Sequence, residues 1–389
     1  MTEKDDNTRG YAVLVSEIML QQTQVSTVID YYKKWMKRWP TTAALSAASL
    51  DEVNQAWSGL GYYSRGRRLL EAAKVVEQTL NGVMPRTVPA LLKLPGVGRY
   101  TASAVASIAY GEAVGLVDGN VLRVLSRLRS VGAEIDSSIA VDWMWMTAEA
   151  VVDPCRPGDF NQAMMELGAT VCSPKSPNCS GCPVRSLCNA KAWNVESIKD
   201  IEESCQLCIR PEAFNLSLGV ANFPRKSKKT ASREETTLVL ALTRPAEGSG
   251  KPTFAVQQRP SSGLLANLWE LPTSVFSGTA DDELGAMEAF MKDRGLAGEH
   301  LKRVGEVGHV FSHINMKYVI YSAVSEGKCD LEFVSSQEFI SKGTSTAMKK
   351  VVKFLESAPQ MGKRKTSLDS GKPPKQRPIS AFFKVLQPK

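Results

Sequence analysis

The sequence predicts two unlike domains joined by a connector: an all-α domain over residues 1–199 and a smaller α+β domain over residues 235–357. Apolar residues recur at helical spacing from Tyr11 to about Ala192, as in Val25, Val28, Ile29 and Tyr32, or Leu69, Leu70, Ala73 and Val76. After about residue 235 the pattern changes to runs rich in β-branched and aromatic residues, at 237–243, 253–258 and 317–324, with a helical stretch at 281–294. Residues 200–234 are polar and basic, as a connector is. Residues 358–389 are rich in Pro, Lys, Ser and Gly and are expected to be a disordered basic tail.

The chain has 389 residues and 43% hydrophobic content, enough for two buried cores. No apolar run approaches a membrane span and the start is polar, so a soluble intracellular protein in a reducing compartment is expected, with no membrane partner. Of the net charge of +8, the segment 356–389 carries +6. Bulk charge therefore makes no case for nucleic-acid binding over the rest of the chain, and local motifs must.

Within the helical half, breaks at Trp39-Pro40, Gly59 to Gly61, Pro85 and Pro95 to Gly98 separate short helices. In the helix containing SEIMLQQTQ, Glu17 sits beside Val15, Ile18 and Leu20. Partial burial there would raise its pKa and keep it protonated as a general acid. LPGVGRYT precedes an Ala-rich helix at 102–110. Gly96 and Gly98 let backbone N–H groups turn toward one point and the helix N-terminus adds positive charge, so this helix-hairpin-helix signature can grip a phosphate. VDGNV then sets Asp118 and Asn120 before the next amphipathic helix, where Asp118 alone reads as a helix cap. Four cysteines, Cys172, Cys179, Cys182 and Cys188, follow with spacing C-x6-C-x2-C-x5-C. One uneven loop with a single x2 step predicts a 4Fe-4S cluster, ahead of a structural zinc or reduced core thiols.

SEIMLQQTQV, GLGYYSRGRRL, LPGVGRYTA, VDGNV and RPGDFNQAMMELGATVC, in that order and followed by the cysteine loop, resemble the MutY-type adenine DNA glycosylases of the helix-hairpin-helix, endonuclease III superfamily. The resemblance runs from about Arg9 to His313. It implies a monofunctional base excision repair enzyme that removes adenine mispaired with 8-oxoguanine or guanine and leaves an abasic site. Glu17 would protonate the adenine and Asp118 would stabilise the oxocarbenium-like sugar, with Asn120 and Tyr100 holding both. Gln22 and Tyr62, with Leu60 beside it, would wedge into the duplex, while Arg65 is set between phosphate contact and a solvated face. Endonuclease III-like enzymes carry a lysine where Tyr100 stands, and a phenol forms no Schiff base, so no lyase step is expected. The family has a further N-terminal segment where only about ten residues precede this first helix.

The second domain resembles a Nudix fold through LLANLWELP at 264–272 and the helix at 281–294, but the acidic REx2EExG core that holds magnesium is missing. In the family this domain reads 8-oxoguanine through a Phe-Ser-His loop, matched by Phe311, Ser312 and His313. Cys205 and Cys208 look like part of a zinc site of animal members, with Ser126 at the expected partner position and Cys155 a conceivable substitute; free thiols are the favoured state. In the tail, Gln376, Ile379, Phe382 and Phe383 fit the sliding-clamp interaction box. With Lys363-Arg364-Lys365 the box suggests a nuclear protein, the mitochondrion being a second location, and a monomer is expected. The rival readings are another mismatch or oxidised-base glycosylase of the superfamily and a catalytically weak or dead clamp-bound adaptor. Tyr100 and the 311–313 loop argue against the first, and retained Glu17 and Asp118 against the second.

Overall fold

The structure is a computed structural model and describes residues 3–192, 205–227, 231–245, 252–325 and 329–357. The clamp box and the rest of the tail lie outside these residues. Two compact units form, and they divide the chain differently from the sequence boundaries: residues Ala48–Arg67 belong with the strand-rich half, not with the helices on either side.

The first unit is helical. In chain order its elements and those of the 48–67 segment are α1 (Glu3–Leu20), α2 (Val25–Arg38), α3 (Thr42–Ser46), α4 (Leu50–Trp57), α5 (Ser64–Thr79), α6 (Val88–Leu91), α7 (Arg99–Tyr110), α8 (Gly119–Leu128), α9 (Ser138–Val151), α10 (Pro157–Glu166) and α11 (Asn189–Ala192). The small residues of α7 explain its place at the centre. Ala102 to Ala109 are buried without interruption, which lets α1 and α10 approach it closely. Ring and aliphatic side chains fill the remainder, with Tyr11, Trp35, Val28, Leu69 and Val76 each at 6% exposure or less. This is the stripe the helical spacing predicts.

The second unit is built on a mixed sheet. Its strands are β1 (Arg233–Arg244), β2 (Thr253–Gln258), β3 (Trp269–Glu270), β4 (Thr273–Phe276), β5 (Gly298–Val310), β6 (Ile314–Ser325) and β7 (Glu332–Val334), ordered β3-β2-β1-β6-β5, with β4 on β1 and β7 on β2. β1 and β6 run parallel and β5 and β6 antiparallel. Helix α12 (Glu283–Asp293) covers one face, where Leu238, Leu240 and Leu242 meet Met287 and Met291. Helices α13 (Ser336–Ser341) and α14 (Thr346–Ser357) cover the other, where Val239 and Ala241 meet Phe339, Val351 and Val352. A strand buried on both sides needs apolar residues at every position, which is why β1 alternates only in part. On α12, Glu283 accepts a hydrogen bond from Arg303 at 3.1 Å, so this acid is committed to an ion pair.

Candidate active site and DNA-reading loops

The C-terminal half of α1 and the N-terminus of α7 bring Glu17 and Tyr100 together. The Tyr100 hydroxyl donates to Glu17 Oε2 at 2.6 Å and also lies 3.3 Å from Met165 Sδ. Glu17 is 1% exposed, and its Oε1 is buried with no hydrogen-bond partner among the described residues. A buried carboxyl with one oxygen left without a donor favours its neutral form. Burial, opposed by the Tyr100 hydrogen bond and reinforced by the charge of Asp118, raises the Glu17 pKa to about 7.

Asp118 is both cap and site residue. Its Oδ1 accepts from the backbone N–H of Asn120 at 2.9 Å and of Val121 at 2.7 Å, while its Oδ2 accepts from Asn120 Nδ2 at 2.8 Å. Burial raises its pKa, and these donors oppose the rise. The cap reading and the functional one therefore describe the same side chain. Asp118 lies near enough to Glu17 and Tyr100 for its charge to act on both, so two carboxyls and a phenol share one site in which Glu17 is buried and the other two are half-buried, with Asn120 bonded to Asp118.

From Asn120 a hydrogen-bonded path leads to the cysteine loop. Arg123 Nη2 donates to Asn120 Oδ1 at 2.8 Å and to the Gly168 carbonyl at 2.6 Å, and its Nε donates to the Cys172 carbonyl at 2.7 Å. Arg127, one turn on, is 2% exposed and donates to the carbonyls of Cys172, Ser173, Pro174 and Phe223 and to Cys172 Sγ. Sequence reasoning passed over both arginines. The available signal was their i, i+4 spacing on α8 directly after Asp118, which puts both guanidiniums on one face.

Cys172, Cys179, Cys182 and Cys188 ring a cavity of about 30 Å³ with Arg127. Among the described residues no three or more His, Cys, Asp or Glu side chains form a group that could hold a metal ion. Burial, together with the three neighbouring sulfurs, raises the Cys188 thiol. The charge balance at Arg127 is what fits this donor set to an iron–sulfur cluster. A buried guanidinium needs a compensating charge, yet every partner of Arg127 among the described residues is a carbonyl or the Cys172 sulfur. Four thiolates around a cluster would supply that charge.

For the second cysteine pair, neither the favoured free thiols nor the zinc alternative is supported. Cys205 and Cys208 are joined to each other, Cys155 is an exposed thiol, and Ser126 donates to the Leu122 carbonyl of its own helix. The sulfurs expected to be free or metal-bound are thus engaged as a pair.

At the hairpin, Gly96 takes φ +76°, and a Cβ there would meet Arg68 Cβ at 2.6 Å. Gly98 caps α7 without a side-chain hydrogen bond, leaving the first N–H groups of the helix for an anion, and both glycines are exposed. Gln22 is exposed with φ +54° and Tyr62 is 48% exposed with φ +48°. Left-handed backbone at a non-glycine residue concentrates at functional positions.

Two expected DNA contacts are placed inside instead. Leu60 is 6% exposed and packs into the fold. Arg65 is 7% exposed; its Nη2 donates to the carbonyls of Leu60 and Gly61, and the guanidinium lies over the rings of Trp57 and Tyr62. It holds a turn from a largely buried position. Arg65→Met is accordingly expected to lower unfolding free energy by about 3 kcal/mol, the scale of lost charged hydrogen bonds in a buried setting. Its salt dependence of DNA binding should match the parent; denaturant titration and a salt series check the two halves of that statement.

In the second unit, Tyr62 and Phe311 to His313 line one cavity of about 690 Å³ together with Arg67, residues 261–267 and His309. Phe311 packs inward against the sheet core and edge-on to His309, while Ser312 and His313 are exposed. The Tyr62 hydroxyl and Ser312 Oγ lie 2.6 Å apart.

Residues 15–141 match the family model described as HhH-GPD superfamily base excision DNA repair protein, and residues 247–354 match a NUDIX domain. The adenine DNA glycosylase of Homo sapiens is 46% identical over 398 residues, covering 95% of this chain and 72% of that protein. Those of Mus musculus and Rattus norvegicus are each 47% identical, over 388 and 372 residues, covering 94% and 90% of this chain and 75% and 72% of those proteins. Identity of this extent across both domains, on a chain that gathers two carboxyls at one site, places it in the adenine DNA glycosylase family.

Proposed function

We propose that this protein removes adenine paired with 8-oxoguanine or guanine in duplex DNA, by hydrolysing the N-glycosidic bond as the first step of base excision repair. Buried Glu17, with one oxygen lacking a hydrogen-bond partner among the described residues, and half-buried Asp118 carry the chemistry. With a pKa of about 7, Glu17 is protonated often enough to donate to a ring nitrogen of adenine as the C–N bond breaks. Ionised Asp118, held by three donors, offsets the cationic charge left at the sugar. Glu17, now a carboxylate, takes the proton of the attacking water. Tyr100 steers the Glu17 carboxyl and offers no amine, which supports a monofunctional enzyme.

The adenine must leave the stack to reach this site. Gln22 and Tyr62, exposed on strained backbone, are the residues we assign to the vacated duplex, with the 96–98 hairpin on a phosphate. The Ser312 hydroxyl beside Tyr62, with His313, would read the opposite base, and the four cysteines would hold a 4Fe-4S cluster that orders the loop carrying Lys175 and Arg185. Gln376, Ile379, Phe382 and Phe383 would dock a sliding clamp in the nucleus, the protein acting as a monomer.

Single-turnover excision from duplexes with adenine opposite 8-oxoguanine, guanine or thymine, with and without alkaline workup, tests this. Adenine release with strand breaks only after alkali is the expected result; intact binding without release would leave an adaptor. Ser312→Ala is expected to reduce the preference for 8-oxoguanine over guanine about fivefold, the value of one hydrogen bond, and to leave excision opposite guanine unchanged.

A further inference from the structure

The loop that carries Tyr62 cannot hold its shape alone. Gly59, Gly61 and Tyr62 take φ +107°, +74° and +48°, so three of four consecutive residues sit in the left-handed half of the map. Such a backbone persists only where its surroundings over-determine it. Two of its restraints are local, from Arg65 and from Trp57 Nε1, which donates to the Gly61 carbonyl at 3.1 Å. The others come from 281 to 291 residues away in sequence, within the same compact unit.

The Tyr63 hydroxyl accepts from the Gly59 N–H at 3.3 Å and donates to the Thr344 carbonyl at 2.8 Å. Ser58 Oγ donates to that carbonyl at 3.2 Å and accepts from Lys349 Nζ at 2.7 Å. Thr344 is fully buried, and its turn is fixed to the sheet by the bond from the Trp269 N–H to the Gly343 carbonyl at 2.9 Å. The phenol of Tyr63 thus bridges the wedge loop on one side and the sheet-anchored 343–345 turn on the other. The same sheet carries the loop with Ser312, 2.6 Å from the Tyr62 hydroxyl.

We infer that Tyr63 and the Thr344 carbonyl are positioning groups for base reading: through the Tyr63 hydroxyl, the α+β domain fixes where Tyr62 stands relative to Ser312. This rests on the proposed role of Ser312 and Tyr62 and adds a residue that contacts no DNA. A hydroxyl that served packing alone would leave selectivity untouched. One that sets the spacing of two reading side chains changes selectivity before it changes the chemistry at Glu17.

The test is Tyr63→Phe in the full chain, which keeps the ring and removes the hydroxyl that makes the bridge. Single-turnover excision is measured opposite 8-oxoguanine and guanine, together with the fluorescence of a 2-aminopurine flanking the opposite base, which reports Tyr62 stacking. A loss of about fivefold in the 8-oxoguanine preference, as one hydrogen bond implies, with excision opposite guanine and thermal midpoint near the parent, is the expected result; the 2-aminopurine signal should shift opposite either base. Equal slowing on both duplexes, or an unchanged preference and signal, overturns the inference. A parent enzyme with no preference would sink the Ser312 assignment instead, and the 2-aminopurine arm would still decide for or against Tyr63. Should Tyr63→Phe fail to fold, Ser58→Ala, which removes the second donor to the same carbonyl, is judged on the same readouts.

Discussion

Glu17→Gln is expected to cut single-turnover adenine excision at least about 1,000-fold, within the range by which positioned acids and bases accelerate proton transfer, while duplex binding stays within a few-fold of the parent. Glutamine matches the size of the carboxylic acid and can accept the Tyr100 hydrogen bond, so the packing of α1 on α7 survives. What is lost is the proton. A gel-shift titration alongside a rate measurement separates the two, and a variant that still released adenine at near the parent rate would remove Glu17 from the mechanism.

The same residue fixes the pH dependence in two opposite senses. Catalysis needs Glu17 protonated and Asp118 ionised, so the excision rate should fall as pH rises through about 7. On the acid side the rate falls as Asp118 protonates, at a pKa that burial holds above the usual aspartate value. For stability the sign follows from proton counting: the folded state holds its proton up to about 7 and the unfolded chain only to 4.5, so rising pH between these values weakens the fold. The full difference amounts to about 3 kcal/mol above pH 7 and vanishes below 4.5. Glu17→Gln removes that cost, and the inactive variant should therefore melt higher than the parent at pH 8 and equally at pH 4. Calorimetry at the two pH values checks it.

The acids were legible in the sequence because each stands in a local pattern: Glu17 on the apolar face of a helix, Asp118 one residue before the next helix. Arg65 was not, because nothing local distinguishes a guanidinium under a turn from one on a solvated face; only the carbonyls of Leu60 and Gly61 decide it. β1, β2 and β6 were visible as runs, but β5 was missed. It is an edge strand, 13 residues long with three glycines and charges along an alternating, largely exposed surface, so it lacks the apolar signal a buried strand carries. The attachment of 48–67 to the α+β unit was invisible for the same reason as the role of Arg127: both rest on bonds to backbone carbonyls dozens to hundreds of residues away, and a carbonyl leaves no mark in a sequence.

Cys182→Ser is expected to be the other severe variant, through folding and not chemistry. Between Cys172 and Cys188 the loop has only the short turn Arg185–Leu187 as regular structure, and its apolar support is the small cluster of Ala190, Ile209, Val220 and Phe223. Arg127 meanwhile stays buried against carbonyls and a single sulfur, an arrangement that is unfavourable without a nearby negative charge. A cluster bound by the four thiolates would supply both the cross-links and the charge, so its binding energy is folding energy for this region. Serine matches cysteine in shape, and exchanging one packed thiol for a hydroxyl would by itself cost about 1 kcal/mol. If the four sulfurs hold a cluster, the variant should instead lose most of its iron and acid-labile sulfide and fall by more than about 5 kcal/mol, since structural metal sites contribute on that scale. Through Arg123 the loss would reach Asn120 and Asp118, so excision should decline even in the fraction that remains folded. Iron content, sulfide content and thermal midpoint measured on parent and variant decide between the two magnitudes: an iron-free parent, or a serine variant that melts within a degree or two of it, would reduce the loop to packed thiols.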